Sequence, residues 1–257
     1  MKPFFMEKQS NTFFQVPIDD LCRQDILKLL SDHTVKKPVW IVTANPEILL
    51  YAKKNPTYKE TLKHASIRVA DGFGLVLVLS MLGGHLQRII GVDLAEDLVR
   101  WASENQKSIC FIGGGSKHSA QPALDAMKKR FPSLQGFAED GGRVNADGEG
   151  DDANEEARMR IVMQKPSVVL VGFGHPKQER WIEKYLLDVP GIDVVIGVGG
   201  TFDYWSGLTP RAPKLIRTIG LEWLFRLIIE PKRIGRILRA VFVFPIITIN
   251  DRLKSKG

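Results

Sequence analysis

The sequence predicts an α/β protein: a Rossmann-like parallel sheet flanked by helices, with a helical appendage at the C-terminal end. Two observations carry this. Short apolar runs rich in β-branched residues recur, each ending in glycine or small polar residues and most leading into a helical stretch, which is the pattern of strand, turn and helix in a wrapped parallel sheet. From Arg211 onward the composition changes to alternating basic and apolar clusters. The predicted division is therefore a core over residues 1–210 and an appendage over residues 211–257.

Taken in order, residues 39–43 form a strand leading into Asn45 and a helix near residues 47–54, and residues 67–70 form a short strand ending at Asp71 and Gly72. Residues 108–112 lead into Gly113, Gly114 and Gly115 and a helix through about Arg130. Residues 167–171 lead into Gly172, Gly174 and a helix from Lys177, and residues 193–198 end at Gly199 and Gly200. The acidic, glycine-rich stretch 139–156 reads as an exposed loop before a helix. After Arg211, residues 221–229 and 234–249, punctuated by Pro231 and Pro245, read as two or three short amphipathic helices. In sheets of this kind ligands lie beyond the carboxyl ends of the strands, where the glycine loops gather.

At 257 residues with 44% hydrophobic side chains, the chain can bury one large core or one core with a small appendage. Cys22 and Cys110 stand far apart, no secretory signal precedes them, and a reducing cytoplasm is the expectation. The longest apolar run, residues 240–249, is about half the roughly 20 residues a spanning helix needs and contains Pro245. Charge is unevenly placed: residues 211–257 carry eleven Lys/Arg against three Asp/Glu, a net +8, which leaves −1 of the total +7 for the rest. A basic, apolar tail without a span suits an anionic membrane surface, a phosphate-rich ligand or nucleic acid. Because the basic residues are mixed with large apolar ones, the lipid surface is favoured over nucleic acid, and the appendage is expected to associate with a membrane.

Several constellations could carry chemistry. Gly113, Gly114, Gly115 and Ser116, between strand and helix, could hold a phosphate on backbone amides; a tight structural turn is an equal reading. The segment from Gly172 to Glu179 puts an amide, a carboxylate and a lysine at the first turn of a helix, where they could bind a sugar or simply cap it. Asp71 falls at a strand end and could act as a general base, although from spacing alone a turn-forming Asp-Gly is the simpler reading. Thr43 and Asn45 would lie near it if their strands are neighbours. The five histidines show no metal-ligand spacing, so no metal site is expected. In the tail, Arg226, Arg233 and Arg236 form either a solvated basic face or a diphosphate clamp.

Together these segments resemble the WecG/TagA/CpsF family of glycosyltransferases, glycosyltransferase family 26. The matching pieces are Thr43-Ala-Asn-Pro-Glu47, Asp71-Gly72, Arg88 with Gly91 and Asp93, Gly113-Gly114, Gly172-Phe-Gly-His-Pro-Lys-Gln-Glu179, Gly197-Val-Gly-Gly-Thr-Phe-Asp203, Gly207, Arg211-Ala-Pro213, and Gly220-Leu-Glu-Trp223 with Arg226, Pro231 and Arg233. They occur in family order over most of the chain. The acidic stretch 139–156 does not align. The resemblance implies an inverting, metal-independent transfer, with no cofactor, from a UDP-sugar, often an N-acetylmannosamine derivative, to an undecaprenyl-diphosphate-linked sugar in teichoic acid or cell-surface polysaccharide synthesis. It implies Asp71 as general base, with Thr43 beside it. Asn45, Arg88, Gln178 and Glu179 would bind the sugar, and Gly113, Gly114 and Asp203 would face the nucleotide. Arg226, Arg233 and Arg236 would neutralise the departing diphosphate. The expected partners are thus the UDP-sugar, the lipid-linked acceptor and the inner face of the cell membrane, without nucleic acid, and self-association is left open. The rival expectation is a catalytically inactive nucleotide-binding scaffold at the membrane.

Overall fold

A computed structural model describes residues 10–32, 38–114, 118–213, 215–216, 222–229 and 234–254. A hairpin of β1 (Ser10–Phe13) and β2 (Val16–Asp19) precedes α1 (Arg23–Ser31). The main sheet begins with β3 (Val39–Ala44), followed by α2 (Pro46–Lys54), α3 (Pro56–His64) and β4 (Ile67–Ala70). Next come α4 (Phe73–Met81), α5 (Gly91–Glu104), β5 (Ser108–Gly113), α6 (Ala120–Arg130) and β6 (Gln135–Glu139). Then α7 (Asp152–Gln164), β7 (Val168–Gly172), α8 (Lys177–Tyr185), β8 (Val194–Gly197) and α9 (Thr201–Trp205) complete the core. Beyond them lie α10 (Glu222–Ile229), α11 (Ile234–Leu238), a π-helical turn (Arg239–Val243) and α12 (Phe244–Lys254).

The six strands stand in the order β4-β3-β8-β7-β5-β6, every neighbouring pair parallel. A parallel sheet needs helices on both faces, so its strands read as continuous apolar runs, and period 2 then divides each run between two cores. Trp40, Val42, Cys110, Ile112, Val169 and Val171 enter one core with residues of α2, α3, α4 and α8. Val39, Ile41, Ile109, Phe111, Val168 and Leu170 enter the other, with residues of α1, α5 and α6. Every strand expected in the sheet is present within one or two residues of its predicted bounds. The edge strand β6 and the hairpin were not legible, because β6 is largely half-buried and short, and the hairpin is held by a distant residue. That residue is Arg68 on β4, whose Nε donates to Pro17 O at 2.9 Å while its backbone N–H donates to Asp19 Oδ2 at 2.8 Å.

The acidic stretch is ordered by its own polar groups. Asn145 Oδ1 accepts from Asp147 N and Glu149 N, both at 2.9 Å, and Asp151 caps α7 by accepting from Asn154 N. Arg180 and Lys184 of α8 hold Asp147 and Glu149, so the acidity is matched by basic residues of a neighbouring helix.

The last helix returns to the core. Phe244 is fully buried against the rings of Phe13 and Phe14, and Asp251 pairs with Lys53 of α2. Arg252 donates to Thr12 O at 3.3 Å and lies over the Phe13 ring, so it is committed to the protein's own hairpin. No described helix is long and apolar enough to cross a membrane.

Candidate active site

A cleft of about 400 Å³ opens beyond the carboxyl ends of β3, β4, β7 and β8. Because β3 and β4 are adjacent in parallel register, Thr43 and Asp71 emerge side by side, and Asp71 N donates to Ala44 O at 2.7 Å. A Cβ added to Gly91, the first residue of α5, would lie 3.1 Å from Asp71 Oδ2 and 3.4 Å from Thr43 Oγ1. The carboxylate therefore rests on the amino end of α5, where the helix dipole favours negative charge. Gly91 is needed for that approach: Gly91→Ala should displace the carboxylate by a few tenths of an ångström and lower turnover by roughly tenfold, since about 1 Å of misplacement can cost 10²-fold. Steady-state kinetics and a thermal melt would check this, the melt staying near that of the unaltered protein.

The amino ends of α2 and α8 also face the cleft. Asn45 caps α2, its Oδ1 accepting from Ile48 N at 3.0 Å, and Lys177 begins α8. Three helix amino ends and a lysine around one cavity make a site suited to an anion. Asp203 lines the same wall as the Gly197–Gly200 loop, and Arg211 pairs with Asp93 of α5, tying the chain after α9 to the rim.

Gln178 lines the cleft yet is only 4% exposed, because its amide is used internally. Oε1 accepts from Gly174 N and Gly199 N, each at 3.1 Å, and Nε2 donates to Glu179 Oε1 at 2.7 Å. The side chain is a bracket joining the β7–α8 and β8–α9 loops. Gly197 makes room for it, since a Cβ there would lie 2.5 Å from Nε2. Glu179 lies behind the wall, buried, also accepting from Tyr58 Oη at 3.0 Å; burial pushes its carboxyl above the ordinary glutamate value, against the two donors that favour the anion. Burial beside Glu179 likewise pushes the Tyr58 hydroxyl well up. His175 lines the cleft above this pair, with Nδ1 3.4 Å from Tyr58 Oη and its ring edge-on to Tyr51.

Of the residues singled out by sequence, the cleft gathers Thr43, Asn45, Asp71, Gln178 and Asp203. Glu179 supports it from beneath. Arg88 does not line the cleft; it is half-buried and bridges to Ala70, one residue before Asp71. Gly113 and Gly114 do not line it either. Gly113 has φ +109° and packs on Gly172, where a Cβ would lie 2.8 Å from the carbonyl carbon, and Gly114 N donates to Gly172 O. Their positions serve the close approach of β5 to β7. Gly115, Ser116 and Arg233 lie outside the described residues, as do the side chains of Arg226 and Arg236. Tyr58 and the cleft residues His175 and Tyr204 received no role from sequence. Nothing local marks Tyr58, which meets Glu179 from 121 positions away. Among the described residues no three His, Cys, Asp or Glu side chains gather as a metal-binding group.

The model of the Glycosyl transferase WecG/TagA/CpsF family matches residues 11–257. A protein of Staphylococcus aureus (strain NCTC 8325 / PS 47) named N-acetylglucosaminyldiphosphoundecaprenol N-acetyl-beta-D-mannosaminyltransferase is 34% identical over 219 residues, covering 84% of this chain and 83% of the relative. A protein of the same name from Bacillus spizizenii (strain ATCC 23059 / NRRL B-14472 / W23) is 35% identical over 223 residues, 86% of this chain and 82% of the relative. The chain belongs to the WecG/TagA/CpsF family of glycosyltransferases.

Proposed function

We propose that this enzyme transfers an N-acetylmannosamine-type sugar or other hexose, with inversion, from a UDP-sugar to an undecaprenyl-diphosphate-linked acceptor at the inner face of the membrane. The carrying observation is the placement of Asp71 beside Thr43 on the amino end of α5, within a cavity ringed by the amino ends of α2 and α8. The carboxylate takes the proton of the acceptor hydroxyl as its oxygen forms the new bond to the anomeric carbon from the face opposite the leaving group. The bond from that carbon to the diphosphate breaks, and UDP leaves with the electron pair. The helix amino ends and Lys177 suit the donor's diphosphate, and the developing charge is completed by Arg226, Arg233 and Arg236. Arg88, joined to Ala70, holds the strand end that carries Asp71. The acceptor sugar is N-acetylglucosamine, by analogy with the relatives' names.

The test is UDP release from a panel of UDP-sugars with a synthetic N-acetylglucosamine diphospholipid, with and without EDTA. Release should be greatest with UDP-N-acetylmannosamine and should survive the chelator. Loss of activity in EDTA, restored by manganese, would contradict the metal-independent step.

A further inference from the structure

α4 is a helix without a charged residue, Phe-Gly-Leu-Val-Leu-Val-Leu-Ser-Met, on the outside of the protein. Leu75, Val78 and Leu79 face the core. The opposite face is equally apolar: Phe73, Leu77 and Met81, spaced i, i+4, i+8, are 43%, 42% and 65% exposed. A second bare face adjoins it. The π-helical turn runs beside α4, a Cβ on Gly74 falling 3.2 Å from Ala240 O; it carries Phe242 and leads into the helix bearing Ile246, about one turn further on, each 60% exposed. Apolar surface of this kind on two neighbouring elements marks a contact with something outside the chain.

Two observations identify the occupant. The segment bearing Phe242 and Ile246 carries a net +8, with Arg239 exposed in its midst, so a second copy of the chain would bring like charge to the same face whereas an anionic surface is attracted. The face also begins at the rim of the cleft. Phe73 follows Asp71 by two residues, and Cβ atoms on Gly72 and Gly74 would lie 3.5 Å and 3.1 Å from the Pro46 ring, next to Asn45.

We propose that the outer face of α4, with Phe242 and Ile246, rests in the headgroup region of an anionic bilayer and holds the cleft mouth against the membrane. The core itself is thereby a membrane-docking element, alongside the basic tail. In its consequence for catalysis the proposal rests on the lipid-linked acceptor proposed above, because such a substrate offers its sugar within a short reach of the headgroups.

The full chain, the double variant Leu77→Glu/Met81→Glu and, separately, Phe242→Glu would be sedimented with vesicles of phosphatidylglycerol and phosphatidylcholine, and with phosphatidylcholine alone. Circular dichroism and melting would establish folding. The unaltered chain should bind the anionic vesicles preferentially, and each variant should bind them about tenfold or more weakly, the scale expected for losing one or two buried apolar side chains and adding negative charge. Activity of the variants should fall on a polyprenyl acceptor in vesicles and stay unchanged on a short, water-soluble one. Undiminished vesicle binding by both folded variants overturns the proposal. So does a concentration-dependent dimer of the unaltered chain that the substitutions dissolve, which would make the face a contact between copies. Absence of turnover by the unaltered chain on the soluble acceptor would instead contradict the proposed reaction, and the vesicle result would stand apart from it.

Discussion

Asp71→Asn is expected to lower turnover by about two orders of magnitude or more, the size of a lost general base, while leaving fold and donor binding intact. Asparagine is nearly isosteric, so it can occupy the place on the amino end of α5 that Gly91 leaves open, and Asp71 N still donates to Ala44 O. What it lacks is a basic lone pair for the acceptor's proton. The distinguishing measurement is kcat together with the dissociation constant for UDP. Loss of kcat with unchanged UDP affinity fits a proton acceptor, whereas near-normal kcat would remove Asp71 from the chemistry.

The second large effect concerns the tail. Arg226→Ala, Arg233→Ala and Arg236→Ala should each cost about 3 kcal/mol of transition-state stabilisation, the scale of one lost preorganised donor. Departing UDP gains negative charge, and a fixed guanidinium meets that charge without reorganising. Arg252→Ala is the internal control. Its guanidinium is already engaged with Thr12 O and the Phe13 ring, so its loss should lower the melting temperature slightly and leave kcat unchanged. All four would be assayed on a short, water-soluble acceptor so that membrane attachment does not enter. Equal losses across the four would dissolve the diphosphate clamp and leave the tail as an anchor.

The sheet was legible because parallel strands buried on both faces leave continuous apolar runs in the sequence, and their glycine ends mark the loops that gather around a ligand. Asp71 and Thr43 were expected together only on the condition that their strands are neighbours, and the parallel pairing of β3 with β4 meets that condition. Gln178 was legible as a cleft residue. Its use as a bracket was not, since that depends on two amides, Gly174 and Gly199, lying 4 and 21 residues away on different loops. The same holds for Tyr58 beneath Glu179. Gly113 and Gly114 read equally as a phosphate-holding loop or a tight turn, and the contact of their backbone with Gly172 favours the structural reading. Arg252 shows the limit of reading charge: a basic tail reads as one surface, whereas here one of its arginines is drawn back onto the hairpin by an aromatic ring and a carbonyl.

The most direct test of the proposed reaction is the product itself. Incubated with UDP-N-acetylmannosamine and a short-chain N-acetylglucosamine diphospholipid, the unaltered chain should yield a lipid heavier by one N-acetylhexosamine, with a β linkage opposite in configuration to the donor's α bond, while Asp71→Asn yields almost none. An α-linked product would contradict inversion, and UDP release without any gain in the lipid's mass would contradict transfer to a lipid-linked acceptor.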